Sequence, residues 1–175
     1  MKLNVKIVAV CLFFLTAVAT QAQQAESASV ILDKAYKQAK KENKKVFVMF
    51  HASWCGWCKK MDAKMASAEL KPYFDKSYVI THLTVQESPK NKALENPGAE
   101  DILKKLKADK SGIPFFIVYD ADGKLLEDSF DSKNENLGCP SSKEEVAEFI
   151  RILKNTSKIS DKEVAAVTEI FTIKK

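Results

Sequence analysis

Two cysteines three positions apart, Cys55 and Cys58, lie in the stretch FHASWCGWCKKM (residues 50–61), with Trp54 and Trp57 beside them. A pair at this spacing can hold a metal, close a short staple or exchange electrons with another disulfide. The attacking species in disulfide exchange is the thiolate. A thiol pKa of about 8.5 falls to as low as roughly 3.5 at a helix N-terminus. Free N–H groups and the positive end of the helix dipole favour an anion there. The C-x-x-C spacing then suits two steps. Cys55 attacks a substrate disulfide and forms a mixed disulfide; Cys58, one turn along, attacks Cys55 and releases the substrate. The more N-terminal Cys55 is the expected nucleophile because it sits at the exposed end.

The other two readings rank lower. A zinc site usually needs four ligands, and the chain has no second C-x-x-C; His51 is near, whereas His82 and Cys139 are remote in sequence. No metal is therefore expected. Covalent haem attachment wants histidine after the second cysteine, and residue 59 is Lys59. A purely structural disulfide stabilises little, because the loop it closes is so short.

The surrounding pattern supplies elements to position the pair. Leu32, Ala35, Tyr36 and Ala39 fall at helical spacing, in a helix that opens near Ser29 and fades in KKENKK. VFVMF (Val46 to Phe50) is a short continuous apolar run, which suits a strand buried on both faces. The cysteine segment follows at once, and residues 56–69 read as helix. YVITHLTV (Tyr78 to Val85) is a second strand. Asn96 and Pro97 suit the N-cap and first position of a helix carrying Ala99, Ile102, Leu103 and Leu106. SGIPFFIVYDADGKLLEDSF reads as a hairpin, with strands at Phe115–Tyr119 and about Lys124–Phe130 around a DADG turn. Ser141 and Ser142 each precede a glutamate by three residues, a capping-box signal for a helix with Val146, Phe149, Ile150 and Leu153 on one stripe. Ser160 and Glu163 repeat that signal in the tail. The order α-β-α-β-α-β-β-α predicts an α/β protein: a small mixed β-sheet flanked by helices.

Length and composition bound the class. A chain of 175 residues, 46% hydrophobic and 29% charged, is of a size and makeup for one globular domain. The formal net charge of +5 is dispersed among many lysines, which reads as a solvated surface; no nucleic-acid reading motif is present. The N-terminus differs from the rest. Lys2 and Lys6 precede an apolar stretch from Ile7 to about Ala19, and Thr20 and Ala22 fit a cleavage site. This is the layout of a secretory signal peptide, too short for a comfortable transmembrane helix, which needs about 20 residues. The expected organisation is a signal peptide at 1–22, a flexible leader at 23–28, one domain at 29–155, and a C-terminal tail at 156–175 that is a candidate helix. Of the four cysteines, Cys11 leaves with the signal. The remaining three suit one pair and a leftover, Cys139, in a compartment where disulfides persist.

At this point the sequence resembles the thioredoxin superfamily. WCGWCKKM after an apolar strand is similar to that family's active-site segment, and SGIPFF is similar to its second landmark, a proline at the start of a later strand. The resemblance covers roughly residues 29–155. It is nearest to exported thioredoxin-like proteins that open with a helix and to the periplasmic thioredoxin-like domain of membrane thiol:disulfide interchange proteins. It implies a thioredoxin-like fold, a cis bond at Pro114 against the cysteine pair, and a backbone at Ile113 that pairs with a bound peptide like an added strand. The family's buried aspartate, six residues before the first cysteine, is here Met49, which puts fast resolution by Cys58 in doubt. Gly56 and Trp57 replace the Gly-Pro of thioredoxin, so its redox poise does not carry over.

The resulting expectation is an exported, periplasmic or otherwise extracytoplasmic thiol–disulfide oxidoreductase, reducing protein disulfides without a diffusible cofactor. Cys55 and Cys58 are catalytic; Trp54, Gly56, Trp57, Ile113 and Pro114 form the substrate-binding surface. Partners are protein disulfides or dithiols, with a membrane electron donor suggested by the resemblance. His51 reads as a structural histidine, with thiolate support by its charge as the alternative. Trp54 is expected to pack beside the site and Trp57 to be exposed. Lys59 and Lys60 reach solvent, and His82 is structural. The rival reading is a non-catalytic binding module with a static disulfide; a metal carrier comes third.

Overall fold

The computed structural model describes residues 25–173. The expected signal peptide, including Cys11, lies outside the described residues.

The first helix, α1 (Ala28–Glu42), is capped by Ser27, whose side chain accepts the Val30 N–H, and ends at Asn43 in the left-handed region with φ 54°. It leads into β1 (Lys45–His51), where Val46 through Phe50 are all buried. The run is apolar throughout because helices cover both faces of the sheet. Phe47 and Met49 join the core under α2 (Gly56–Met65) and α3 (Lys71–Ser77), whereas Val46, Val48 and Phe50 pack with α1 on the opposite face. The second strand, β2 (Tyr78–Thr84), returns parallel to β1. A 3₁₀ segment, Pro89–Leu94, and α4 (Ala99–Lys105) precede a hairpin of β3 (Phe115–Tyr119) and β4 (Leu125–Asp128). Strand order is β2-β1-β3-β4, with β3 antiparallel to both β1 and β4. The expected mixed sheet flanked by helices is what the chain forms.

Two helices close the molecule, α5 (Lys143–Thr156) and α6 (Asp161–Phe171), each opened by a complete capping box, Ser142–Glu145 and Ser160–Glu163. Packing therefore continues past residue 155. Phe47, Phe116, Phe149 and Phe171 form a buried aromatic column from β1 to α6, with successive centroids 5.1, 5.6 and 5.0 Å apart. Full burial of each such ring stabilises by about 1.5–3 kcal/mol.

Three local expectations need correction. Helix 56–69 stops at Met65, and α3 is a separate helix. Residues 66–70 form turns, and Pro72 stands in the first turn of α3, where its missing N–H leaves no helical bond unmade. Asn96 does not cap α4; Gly98, with φ 85°, holds that position. The Asn96 side chain instead accepts the Thr84 N–H at 2.6 Å and donates to the Glu26 carbonyl at 2.8 Å, joining the end of β2 to the start of the described chain. The second hairpin strand ends at Asp128, and Phe130 makes an isolated bridge with Asn136.

Candidate active site

The site forms where β1 stops. After His51 the chain turns through Ala52, Ser53 and Trp54, and the Cys55 N–H donates to the Ala52 carbonyl at 3.0 Å. Cys55 is the N-cap of α2: its Sγ accepts the Cys58 N–H at 3.1 Å. The sulfur thus occupies the place a serine or aspartate oxygen takes at other helix starts, facing free N–H groups at the positive end of the dipole. Cys55 and Cys58 are joined by a disulfide. Both are buried, Cys55 at 3% and Cys58 at 1% exposure. Exposure hardly separates them; position does. Both belong to one apolar core cluster with Met49 and Met61, but Cys55 Sγ lies 3.7 Å from the carbonyl oxygen of Ile113, whereas Cys58 lies within the first turn of α2.

The Ile113–Pro114 peptide bond is cis. Ile113 is half-buried and Pro114 buried. The two tryptophans next to Cys55 and Cys58 in the chain are exposed, Trp54 at 58% and Trp57 at 46%. Trp54, expected to pack beside the site, is largely exposed. Its indole N–H donates to the Gln86 carbonyl at 2.8 Å, which holds the ring across the loop after β2. Lys60 Nζ lies 4.2 Å from the centre of the Trp57 ring. A Cβ added at Gly56 would meet nothing within 4 Å, so the surface beside Cys55 is open.

His51 is half-buried, its ring centre 5.0 Å from that of His82, and its Nε2 shares a hydrogen bond with Thr84 Oγ1 at 3.2 Å. Burial, and then repulsion from His82, hold its pKa below the ordinary histidine value, which disfavours a charged ring. The group in direct contact with Cys55 Sγ is the Cys58 N–H at the start of α2. His82 is paired with Asp62 at 2.9 Å. Cys139 is free and buried in the same apolar cluster as the disulfide, and burial pushes its thiol pKa up. Among the described residues no group of three or more His, Cys, Asp or Glu is arranged to hold a metal ion.

Two residues not anticipated from sequence support this geometry. Glu87 is buried, and its carboxylate accepts both the N–H and the Oγ–H of Ser53, the latter at 2.8 Å. Although burial opposes its ionisation, these hydrogen bonds win and hold its pKa below the usual carboxylate range. Asn136 binds the loop that carries Pro114. Both lie in loops far along the chain from Cys55, where no local periodicity marks them.

A family model described as a thioredoxin-like domain matches residues 32–129, and the chain belongs to that family. A search of curated proteins finds no match. Among solved structures the chain is similar to a disulphide isomerase from Xylella fastidiosa Temecula1, with 21% identity over 58% of this chain and 72% of that one, TM-score 0.46. It is also similar to the reduced DsbD C-terminal domain of Neisseria meningitidis, with 27% identity over 58% of this chain and 83% of that one, TM-score 0.42. A third similar structure is a DsbH oxidoreductase, with 22% identity over 75% of this chain and 84% of that one, TM-score 0.43.

Proposed function

We propose that this protein is an exported thiol–disulfide oxidoreductase that reduces disulfides in other proteins. The observation that carries the reading is the placement of Cys55: disulfide-bonded to Cys58, capping α2, and facing the Ile113 carbonyl. In the reduced enzyme the Cys55 thiolate attacks one sulfur of a substrate disulfide. A Cys55–substrate bond forms, the substrate S–S bond breaks, and the other substrate sulfur leaves as a thiolate. Cys58 then loses its proton and attacks Cys55 Sγ, which forms the Cys55–Cys58 disulfide and releases the second substrate thiolate. Two electrons pass to the substrate, whose two sulfurs end as thiols. With Met49 in place of a buried carboxylate, the proton of Cys58 passes to the departing substrate thiolate or to water. The pair carries the electrons, and an upstream donor must re-reduce it.

Trp54, Gly56, Trp57, Ile113 and Pro114 form the substrate surface in this reading, with the exposed indoles seating apolar side chains next to the substrate cysteine. The signal-peptide pattern at residues 1–22 supports export to the periplasm or another extracytoplasmic space. No helix among the described residues is long and apolar enough to cross a membrane. The direct test is insulin reduction driven by dithiothreitol. Wild type turns over, Cys55→Ser loses turnover, and Cys58→Ser accumulates a mixed disulfide with substrate. A wild type that binds partners with no turnover would instead be a binding module with a static disulfide.

A further inference from the structure

The loop Ser111–Gly112–Ile113–Pro114 carries four successive carbonyl oxygens, and that of Ile113 meets the disulfide. One side-chain amide engages three of them. Asn136 Nδ2 lies 3.1 Å from the Ser111 oxygen, 3.2 Å from that of Gly112 and 3.1 Å from that of Pro114. The one it skips is Ile113, whose oxygen is the one 3.7 Å from Cys55 Sγ. The amide is itself held from behind. Asn136 Oδ1 accepts the Ser129 hydroxyl at 2.8 Å and the Gly138 N–H at 3.1 Å. Ser129 is fully buried, and its Oγ accepts the Phe116 N–H at 3.1 Å, which anchors the network to β3. The backbone adds the Phe130–Asn136 bridge and a Leu137 N–H bond to the Ser129 carbonyl at 2.8 Å.

An asparagine amide has two N–H donors and a carbonyl acceptor, and here all are used. A charged or apolar residue could not match this set, because the site requires donors on one side and an acceptor on the other. The consequence for the disulfide is selective. Three carbonyls are turned toward Asn136, and the fourth, that of Ile113, is left facing Cys55 Sγ.

We infer that Asn136 is the positioning residue of the substrate-binding edge: by engaging the carbonyls of Ser111, Gly112 and Pro114, it leaves the Ile113 carbonyl as the backbone acceptor offered to an extended segment of the protein substrate. This rests on the disulfide-reductase reading for its substrate class. Its geometry stands apart from that reading, so the two can fail separately. Orientation of a binding edge acts on recognition of a polypeptide more than on electron exchange between sulfurs.

The test compares wild type with Asn136→Asp, which keeps an acceptor for Ser129 and Gly138 but has no donor for the three carbonyls. The expected result with insulin is a KM raised about tenfold, a kcat lowered by less than threefold, and a rate of disulfide reduction by dithiothreitol changed by less than threefold. A folded variant whose KM stays within twofold of wild type overturns the inference. So does an equal loss in the insulin and dithiothreitol reactions. A second measurement needs no turnover. In ¹³C-labelled oxidised protein, titration with an insulin B-chain peptide whose cysteines are replaced by serine should shift the Ile113 carbonyl resonance of wild type, leave those of Ser111, Gly112 and Pro114 in place, and shift Ile113 by less than half as much in Asn136→Asp. Equal Ile113 shifts in the two proteins, or none in wild type, overturn it. Wild type inert toward insulin would defeat the reductase reading alone, and the comparison of carbonyl shifts would still decide the role of Asn136.

Discussion

The carboxylate of Glu87 takes both the backbone N–H and the hydroxyl of Ser53, two residues before the cysteine that caps α2. The loop after β2 thereby sets the approach of the chain to the disulfide, and the Trp54 indole repeats the attachment on Gln86. Hydrogen bonds to an ionised acceptor are worth about 1.5–3 kcal/mol each when intact, so Glu87→Ala should lower stability by about 2 kcal/mol at pH 7. The folded pKa of Glu87 is depressed. Its stabilisation is therefore complete above the unfolded carboxylate value of about 4.3 and is lost as pH falls through the lower folded value. Thermal unfolding at pH 7 and pH 3 should show the gap between wild type and Glu87→Ala narrowing in acid. A gap that is unchanged or wider at pH 3 would contradict the assignment.

His51 carries the opposite expectation to a charged partner of Cys55. Burial and His82 depress its pKa. The unfolded chain takes up a proton as pH falls below about 6.5 while the folded chain resists it, so stability declines through that window. His51→Gln should flatten the decline between pH 7 and pH 5 in urea melts and alter kcat for insulin by less than threefold. A loss of activity above tenfold in the folded variant would restore the charged role.

Cys139 is buried, and its thiol pKa is raised. The thiolate is the reactive species. In a Cys55→Ser, Cys58→Ser background, iodoacetamide at pH 8 should label native Cys139 at least tenfold more slowly than the same protein in urea. Equal rates would show an accessible, reactive thiol.

Phe171 ends the aromatic column through Phe149, and its carbonyl accepts Lys64 Nζ at 2.8 Å. Phe171→Ala should cost about 3–5 kcal/mol, read as a lower urea midpoint at an unchanged slope. A cost below about 1 kcal/mol would mean that α6 is peripheral.

What the sequence discloses here depends on how local the cause is. The Cys55–Cys58 spacing, the apolar run of β1 and the Ser160–Glu163 box each lie within a few residues of what they determine, and they read directly. The break between α2 and α3 is hidden because Met61, Met65, Tyr73 and Phe74 all carry core-facing side chains, and only Pro72 marks the interruption. Asn96 sits beside a proline as a helix cap would, but it is spent on Thr84 and Glu26, contacts that only the folded chain brings near. Glu87 and Asn136 are invisible for the same reason. Each is an isolated polar residue in a loop, and its partners are set by how β2, β3 and the loop after β4 meet around the disulfide.

The central claim is that the Cys55–Cys58 pair is redox-active and reducing. The most direct measurement is its reduction potential, obtained by equilibrating the protein against a series of glutathione ratios and following the free thiols. A reducing pair should give a value near roughly −270 mV, among reductants of protein disulfides. A value near roughly −120 mV, that of a strong oxidant, would contradict it and make the protein a donor of disulfides.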